Sequence, residues 1–134
     1  MYVFGMVSLA RINTLHPALQ RVVNRAMSFQ FMDLTIIQGE RPIREQYELY
    51  KIGRELPGDI VTYKDGLNSK SKHNYSPSKA VDMAPYPSVY ESSITQWHAM
   101  YVMMQCAANI EGVKIKWGGN FKSFKDYPHI ELDE

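Results

Sequence analysis

Cysteine is nearly absent: the chain has a single one, Cys106, among 134 residues. No internal disulfide can form, so the fold has to be stable without oxidation, and a cysteine-based zinc finger is excluded. Any metal site must draw on His, Asp or Glu. Long apolar runs are missing too. Nothing approaches the ~18 residues that a membrane-spanning helix needs, so no membrane span is expected. The opening stretch, MYVFGMVSLARINTLHP, has some apolar character. It lacks a basic leader, an uninterrupted apolar stretch and a cleavage site, so it reads as mature protein. Nor is there much excess of charge of either sign. A formal net charge of +1 lacks the domain-wide basic footprint of a nucleic-acid binder. It leaves room for a locally basic groove facing a polyanionic polymer.

Apolar residues make up 45% of the chain and charged residues 22%, which suits one ordinary core and argues against wholesale disorder. Residues 1–134 read as a single domain, and a monomer is expected. Pro17 opens a helix, in which Leu19, Val22, Val23 and Ala26 fall on one face. Asp33 to Gln38 is β-branched and apolar and reads as a buried strand that Gly39 ends. Pro42 opens a second helix with Ile43, Tyr47 and Tyr50 on one stripe, stopping near Gly53. Residues 55–78 form a long irregular segment, a type usually functional or disordered. Ala80 to Ala84 is a short apolar strand interrupted by Asp82, a carboxylate that needs a metal or cation as partner if buried. A longer helix runs from about Ser92 to Asn109, with Ile94, Trp97, Tyr101, Met104 and Ala108 in helical period and Met100 and Ala107 widening the stripe. Gly112 ends it. Val113 to Trp117 and His129 to Leu132 read as strands, with Gly118-Gly119 as a turn. Helices and strands mix without regular βαβ alternation, which predicts an α+β domain with packed helices and a small, mainly antiparallel sheet.

Two of the four histidines stand in unusual company. His73 lies nine residues before Asp82, and His129 lies three residues after Asp126. Imidazole and carboxylate both suit zinc, and a His73/Asp82/His129 set would leave a fourth position for water, as catalytic sites do. Asp126 would then be a carboxylate able to take a proton from that water and pass it to a leaving amine. Taken singly, each histidine is as easily a surface or satisfied core residue, and spacing alone leaves both readings open. A serine hydrolase has no support, since no GxSxG elbow is present.

The motifs, taken together, resemble the zinc peptidases that include D-alanyl-D-alanine carboxypeptidases and phage L-alanyl-D-glutamate endolysins, the VanY-like group. The pattern S-x-H…A-x-D appears as Ser71-Lys72-His73 and Ala80-Val81-Asp82, and D/E-x-x-H as Asp126-Tyr127-Pro128-His129. A G-x-R element followed by a helix carrying Gln appears as Gly39-Glu40-Arg41 and Gln46, and the WGG-aromatic turn as Trp117 to Phe121. The resemblance implies a hedgehog/DD-peptidase-like fold, Zn²⁺ held by His73, Asp82 and His129, and Asp126 as acid/base. It implies that Arg41 binds a substrate carboxylate or a developing oxyanion, with Ser71 and Gln46 on the substrate side or behind it. The link from His73 to Asp82, NYSPSKAV, departs from the commonest family form by two extra residues and no glycine. It reads as a bulged loop that still returns Asp82 to the metal.

The implied activity is cleavage of the L-Ala–D-Glu bond in peptidoglycan stem peptides by a phage lysis enzyme. Such a protein would accumulate in the host cytoplasm, reach the wall through a holin lesion, and carry no separate wall-binding domain. Bacterial peptidoglycan is the expected partner, with no nucleic acid and no membrane. A D,D-carboxypeptidase and a non-catalytic zinc module on the same fold are the alternatives. Plainer roles fit several residues: Arg41 paired with Glu45, Asp126 as a solvated loop residue, His98 at the surface, His16 at a helix entry. Trp97, Met100, Tyr101, Met103 and Met104 read as core, and Cys106 as a small buried apolar residue. Lys64, Lys70, Lys72 and Lys79 read as a solvated loop or as an attractor for the acidic wall.

Overall fold

Alternation along two short strands decides which side chains meet. The computed structural model describes residues 1–134. Its strands are β1 (Leu34–Gln38), β2 (Ala80–Pro85), β3 (Ile115–Trp117) and β4 (His129–Leu132). They form one sheet in the order β1-β2-β4-β3, with every neighbouring pair antiparallel. Successive side chains on a strand point to opposite faces. Val81 and Met83 on β2, with Ile130 and Leu132 on β4, enter the core. Asp82, His129 and Glu131 therefore project from the other face. Register completes the arrangement, because Asp82 lies directly opposite His129 and Ala80 opposite Glu131.

The helices are α1 (Met6–Ile12), α2 (Pro17–Ser28), α3 (Ile43–Lys51) and α4 (Ile94–Glu111). In α2 the four residues of the expected face, Leu19, Val22, Val23 and Ala26, are fully buried. His16 caps this helix, its ring accepting the Ala18 N–H at 3.0 Å. A capping box of Ser93 and Gln96 opens α4, and Gly112 ends it in the left-handed conformation. α2 packs against α4, and α4 crosses β2 and β3. Trp97, Met100, Met103 and Met104 are buried in that layer, each apolar side chain there contributing roughly 1.5–3 kcal/mol. Tyr101 is partly buried and stacks on Trp117, centroids 4.6 Å apart.

Several expectations need correction. α1 falls in a stretch that carried no helix signal. It forms because it covers the free edge of β1, where Ser8 Oγ accepts the Ile36 N–H at 3.0 Å and Arg11 Nη1 donates to the Ile36 carbonyl at 2.8 Å. Cys106 is exposed rather than buried. It lies four residues from both Val102 and Ile110, which are also exposed, so all three share the outer face of α4. Ile94, at the first turn, is likewise 52% exposed. In α3 the buried residue is Gln46, while Ile43 is exposed and Tyr47 and Tyr50 are only half-buried. That helix closes over a polar interior, which an apolar-stripe reading cannot detect.

Candidate active site

Four separate stretches of chain converge on the polar face of the sheet. His73 sits in a single 3-10 turn, Lys72–Asn74, capped by Ser71, whose Oγ accepts the His73 N–H at 3.3 Å. His73 Nδ1 donates to the Gly39 carbonyl at 2.8 Å, leaving Nε2 aimed at Asp82 Oδ1 at 3.2 Å. His129 is held the opposite way round: Nε2 donates to Glu131 Oε1 at 2.8 Å, and Nδ1 faces the same Asp82 oxygen at 3.3 Å. One ligand atom from each of His73, Asp82 and His129 lies within 4.8 Å of the others, a group able to hold a metal ion. The longer loop between His73 and Asp82 does return the carboxylate to the imidazoles.

Electrostatics follow from this crowding. Burial pushes the Asp82 carboxyl up, but hydrogen bonds from His129 and His73 outweigh it and hold the group well below the usual carboxylate range. Burial pushes His129 down, yet its bonds to Asp82 and Glu131 carry it up to about 9. Ion uptake needs the neutral ring and has to displace that proton.

Arg41 approaches Asp82 from the other side, Nη2 to Oδ2 at 3.6 Å, and its Nη1 donates to Gln46 Oε1 at 2.8 Å. It precedes α3 and makes no pair with Glu45, so the surface-pair reading fails. Asn74 braces the same segment: its side chain donates to the Arg41 carbonyl at 2.9 Å, and the Arg41 N–H donates to the His73 carbonyl at 2.7 Å. The Arg41 Nε is buried without a protein partner.

Asp126 is half-buried rather than a solvated loop residue. Burial raises its pKa, and the neighbouring Asp82 charge raises it further, against the pull of His129, His73 and Arg41. Its position depends on the WGG turn. The Asp126 N–H donates to the Gly118 carbonyl at 2.9 Å, and a Cβ on Gly118 would collide with the Asp126 backbone oxygen. Only glycine admits that approach. Arg41, His73, Asp82, Asp126 and His129 line one cleft of about 820 Å³. Ser71 lines it too, whereas fully buried Gln46 stands behind Arg41. Of the four lysines singled out, Lys64, Lys70 and Lys72 line the cleft, and Lys79 instead pairs with Glu134 at 2.6 Å. His98 is exposed and lies against Trp117.

Two site residues escaped the sequence reading. Glu131 was findable, since it follows His129 by two on a strand and must share its face. Asn74 gave no signal, because its contact with Arg41 spans 33 residues.

The chain is similar to known proteins. The family described as Phage L-alanyl-D-glutamate peptidase matches residues 1–133. The chain is 37% identical over 129 residues to the peptidoglycan L-alanyl-D-glutamate endopeptidase CwlK of Bacillus subtilis (strain 168), covering 88% of this chain and 73% of that protein. It is 27% identical over 131 residues to the L-alanyl-D-glutamate peptidase of Escherichia phage T5, covering 96% and 88%. The crystal structure of the Serratia marcescens L-Ala D-Glu endopeptidase ChiX shares the α+β fold, with a TM-score of 0.75 at 24% identity over 98% of this chain and 90% of that one. The chain belongs to the phage L-alanyl-D-glutamate peptidase family.

Proposed function

We propose that this chain is a zinc-dependent peptidase that hydrolyses the L-Ala–D-Glu bond in the peptide stems of bacterial peptidoglycan. The observation that carries the reading is the convergence of two imidazoles and Arg41 on Asp82, in one cleft with half-buried Asp126. The names of the relatives support the choice of bond. The donor set fits zinc: two imidazole nitrogens and one carboxylate oxygen, each ring already oriented by a hydrogen bond on its far nitrogen. Three protein ligands leave a coordination position open. When bound there, zinc supplies Lewis acidity toward the scissile carbonyl and an activated water.

The remaining work falls to the protein. Asp126 accepts the proton of the attacking water and returns it to the departing amine, and its raised pKa suits both halves of that cycle. Arg41 offers guanidinium hydrogens to the carbonyl oxygen as negative charge grows on it. Gln46 holds Arg41 in place, and Ser71 orders the His73 turn while facing the substrate. No helix is long and apolar enough to cross a membrane. We place the action at the cell wall, reached after a holin opens the host membrane, by a monomer.

Digestion of purified wall, with fragments read by mass, tests the reading. New amino-terminal D-glutamyl ends are expected; released D-alanine in their place would make the enzyme a D,D-carboxypeptidase. Asp126→Ala is expected to keep zinc and lose on the order of 10²–10⁴ in rate, while His129→Ala loses both. A non-catalytic zinc module would leave wall intact with every variant.

A further inference from the structure

Gln46 ties two cations of the cleft together. Its Oε1 accepts from Arg41 Nη1 at 2.8 Å, and its Nε2 donates to the Lys64 carbonyl at 2.8 Å and to Thr62 Oγ1 at 3.1 Å. Thr62 Oγ1 in turn accepts the Lys64 N–H at 3.1 Å. Within an otherwise irregular loop, the Lys64 carbonyl is therefore held directly by a fully buried side chain that also holds Arg41, and the Lys64 N–H is held by Thr62, which that same side chain bonds. Lys64, Lys70 and Lys125 all line the cleft. The lysines engaged in ion pairs are Lys51, Lys72, Lys79 and Lys116, so these three are in none.

Of the three, Lys125 Nζ donates to the Gly119 carbonyl at 3.2 Å and Lys70 Nζ lies 5.2 Å over the Tyr75 ring, which leaves Lys64 as the cleft lysine able to meet an anion from the substrate. Glutamate is a diacid. In a peptide that continues past it, one carboxyl becomes an amide bond and the other is left over, anionic at neutral pH unless capped as a carboxamide. When the bond that breaks is to the glutamyl nitrogen, this spare carboxylate sits on the departing residue itself. We propose that Lys64, positioned by Gln46, is a specificity-determining residue that binds this spare carboxylate, so that the cleft selects the free acid over the carboxamide. The proposal rests on the peptidase reading above. An ammonium–carboxylate hydrogen bond is roughly twice as strong as a neutral one, and the carboxamide offers no charge to meet the lysine.

The test uses two synthetic stem peptides that differ only in whether the spare glutamyl carboxyl is free or amidated. The zinc-loaded wild-type enzyme is expected to cleave the acid with a kcat/KM about tenfold higher than the amide. Lys64→Gln should lose that factor on the acid and change little on the amide, whereas Lys64→Arg should keep the preference. Lys79→Gln is the control, since it removes the same unit charge from a lysine that does not line the cleft. Equal cleavage of both peptides by the wild type overturns the proposal and leaves the peptidase reading intact. So does an equal loss on both peptides in Lys64→Gln, or the same loss of preference in Lys79→Gln. Cleavage of neither peptide at the L-Ala–D-Glu bond overturns both readings.

Discussion

His129 has two ring nitrogens and a carboxylate at each. Asp82 Oδ1 stands 3.3 Å from Nδ1, and Glu131 Oε1 stands 2.8 Å from Nε2. A carboxylate on the far nitrogen fixes the tautomer, aims the near lone pair at the ion and raises its basicity. The Glu131 carboxyl itself is pushed up by burial but pulled below its ordinary value by the bond from His129, so it stays anionic. Glu131→Ala is therefore expected to weaken zinc binding about 10–100-fold, with Glu131→Gln falling between it and wild type because an amide oxygen still accepts. Competition against a chelating dye measures this directly. Unchanged affinity in Glu131→Ala would mean that β4 alone orients the ring.

The elements differ in how much of themselves the sequence reveals. α2 and α4 were legible because their buried faces repeat with helical period and their ends carry caps, His16-Pro17 on one and Ser93 and Gly112 on the other. β1, β2 and β4 were legible as apolar runs, and Asp82 stood out as the carboxylate in one of them. The grouping of His73, Asp82 and His129 was legible chiefly through resemblance, since spacing left His73 and His129 open to plainer roles. What stayed hidden depends on contacts distant in sequence. α1 exists to cover β1, Gln46 is buried to serve Arg41 and Lys64, and Cys106 faces outward on a helix apolar on both sides. The WGG turn lies between these cases: its glycines read as a turn, while their purpose shows only where Asp126 packs on Gly118. Gly118→Ala should force Asp126 away from the ligand group. A displacement near 1 Å is enough to cost on the order of 10² in rate, and the overpacking should cost about 1–3 kcal/mol in stability. Zinc stoichiometry should persist, because the pairing of β4 with β2 still holds His129 opposite Asp82, although the His129 N–H bonds the Asp126 carbonyl. Native turnover by Gly118→Ala would show that this contact does not place Asp126.

For the molecule as a whole, the His73/Asp82/His129 group draws on an irregular segment and on two paired strands of the sheet. His73 lies within the long irregular segment, Asp82 on β2 and His129 on β4, so an ion bound to all three would clamp loop to sheet. Ligand binding to the folded state alone stabilises it by RT ln(1 + [L]/Kd), roughly 4 kcal/mol at a thousandfold excess over Kd. Chelation should therefore lower Tm. The pH dependence has a definite sign. In chelator-stripped protein the His129 pKa is raised to about 9 by Asp82 and Glu131. The stability it contributes is present below the unfolded value of about 6.5 and is lost as pH rises through 9. Zinc, by contrast, requires the neutral ring, so its apparent affinity grows as pH climbs toward 9. Stripped protein loses stability over the interval in which the ion's contribution increases. The gap in Tm between loaded and stripped protein is accordingly expected to widen from pH 6 to pH 9, with about one proton released per zinc at pH 7. Differential scanning calorimetry at fixed free zinc, with titrations in buffers of different ionisation enthalpy, measures both. A gap constant with pH, or uptake without proton release, would mean that His129 is not a ligand and that the ion sits elsewhere.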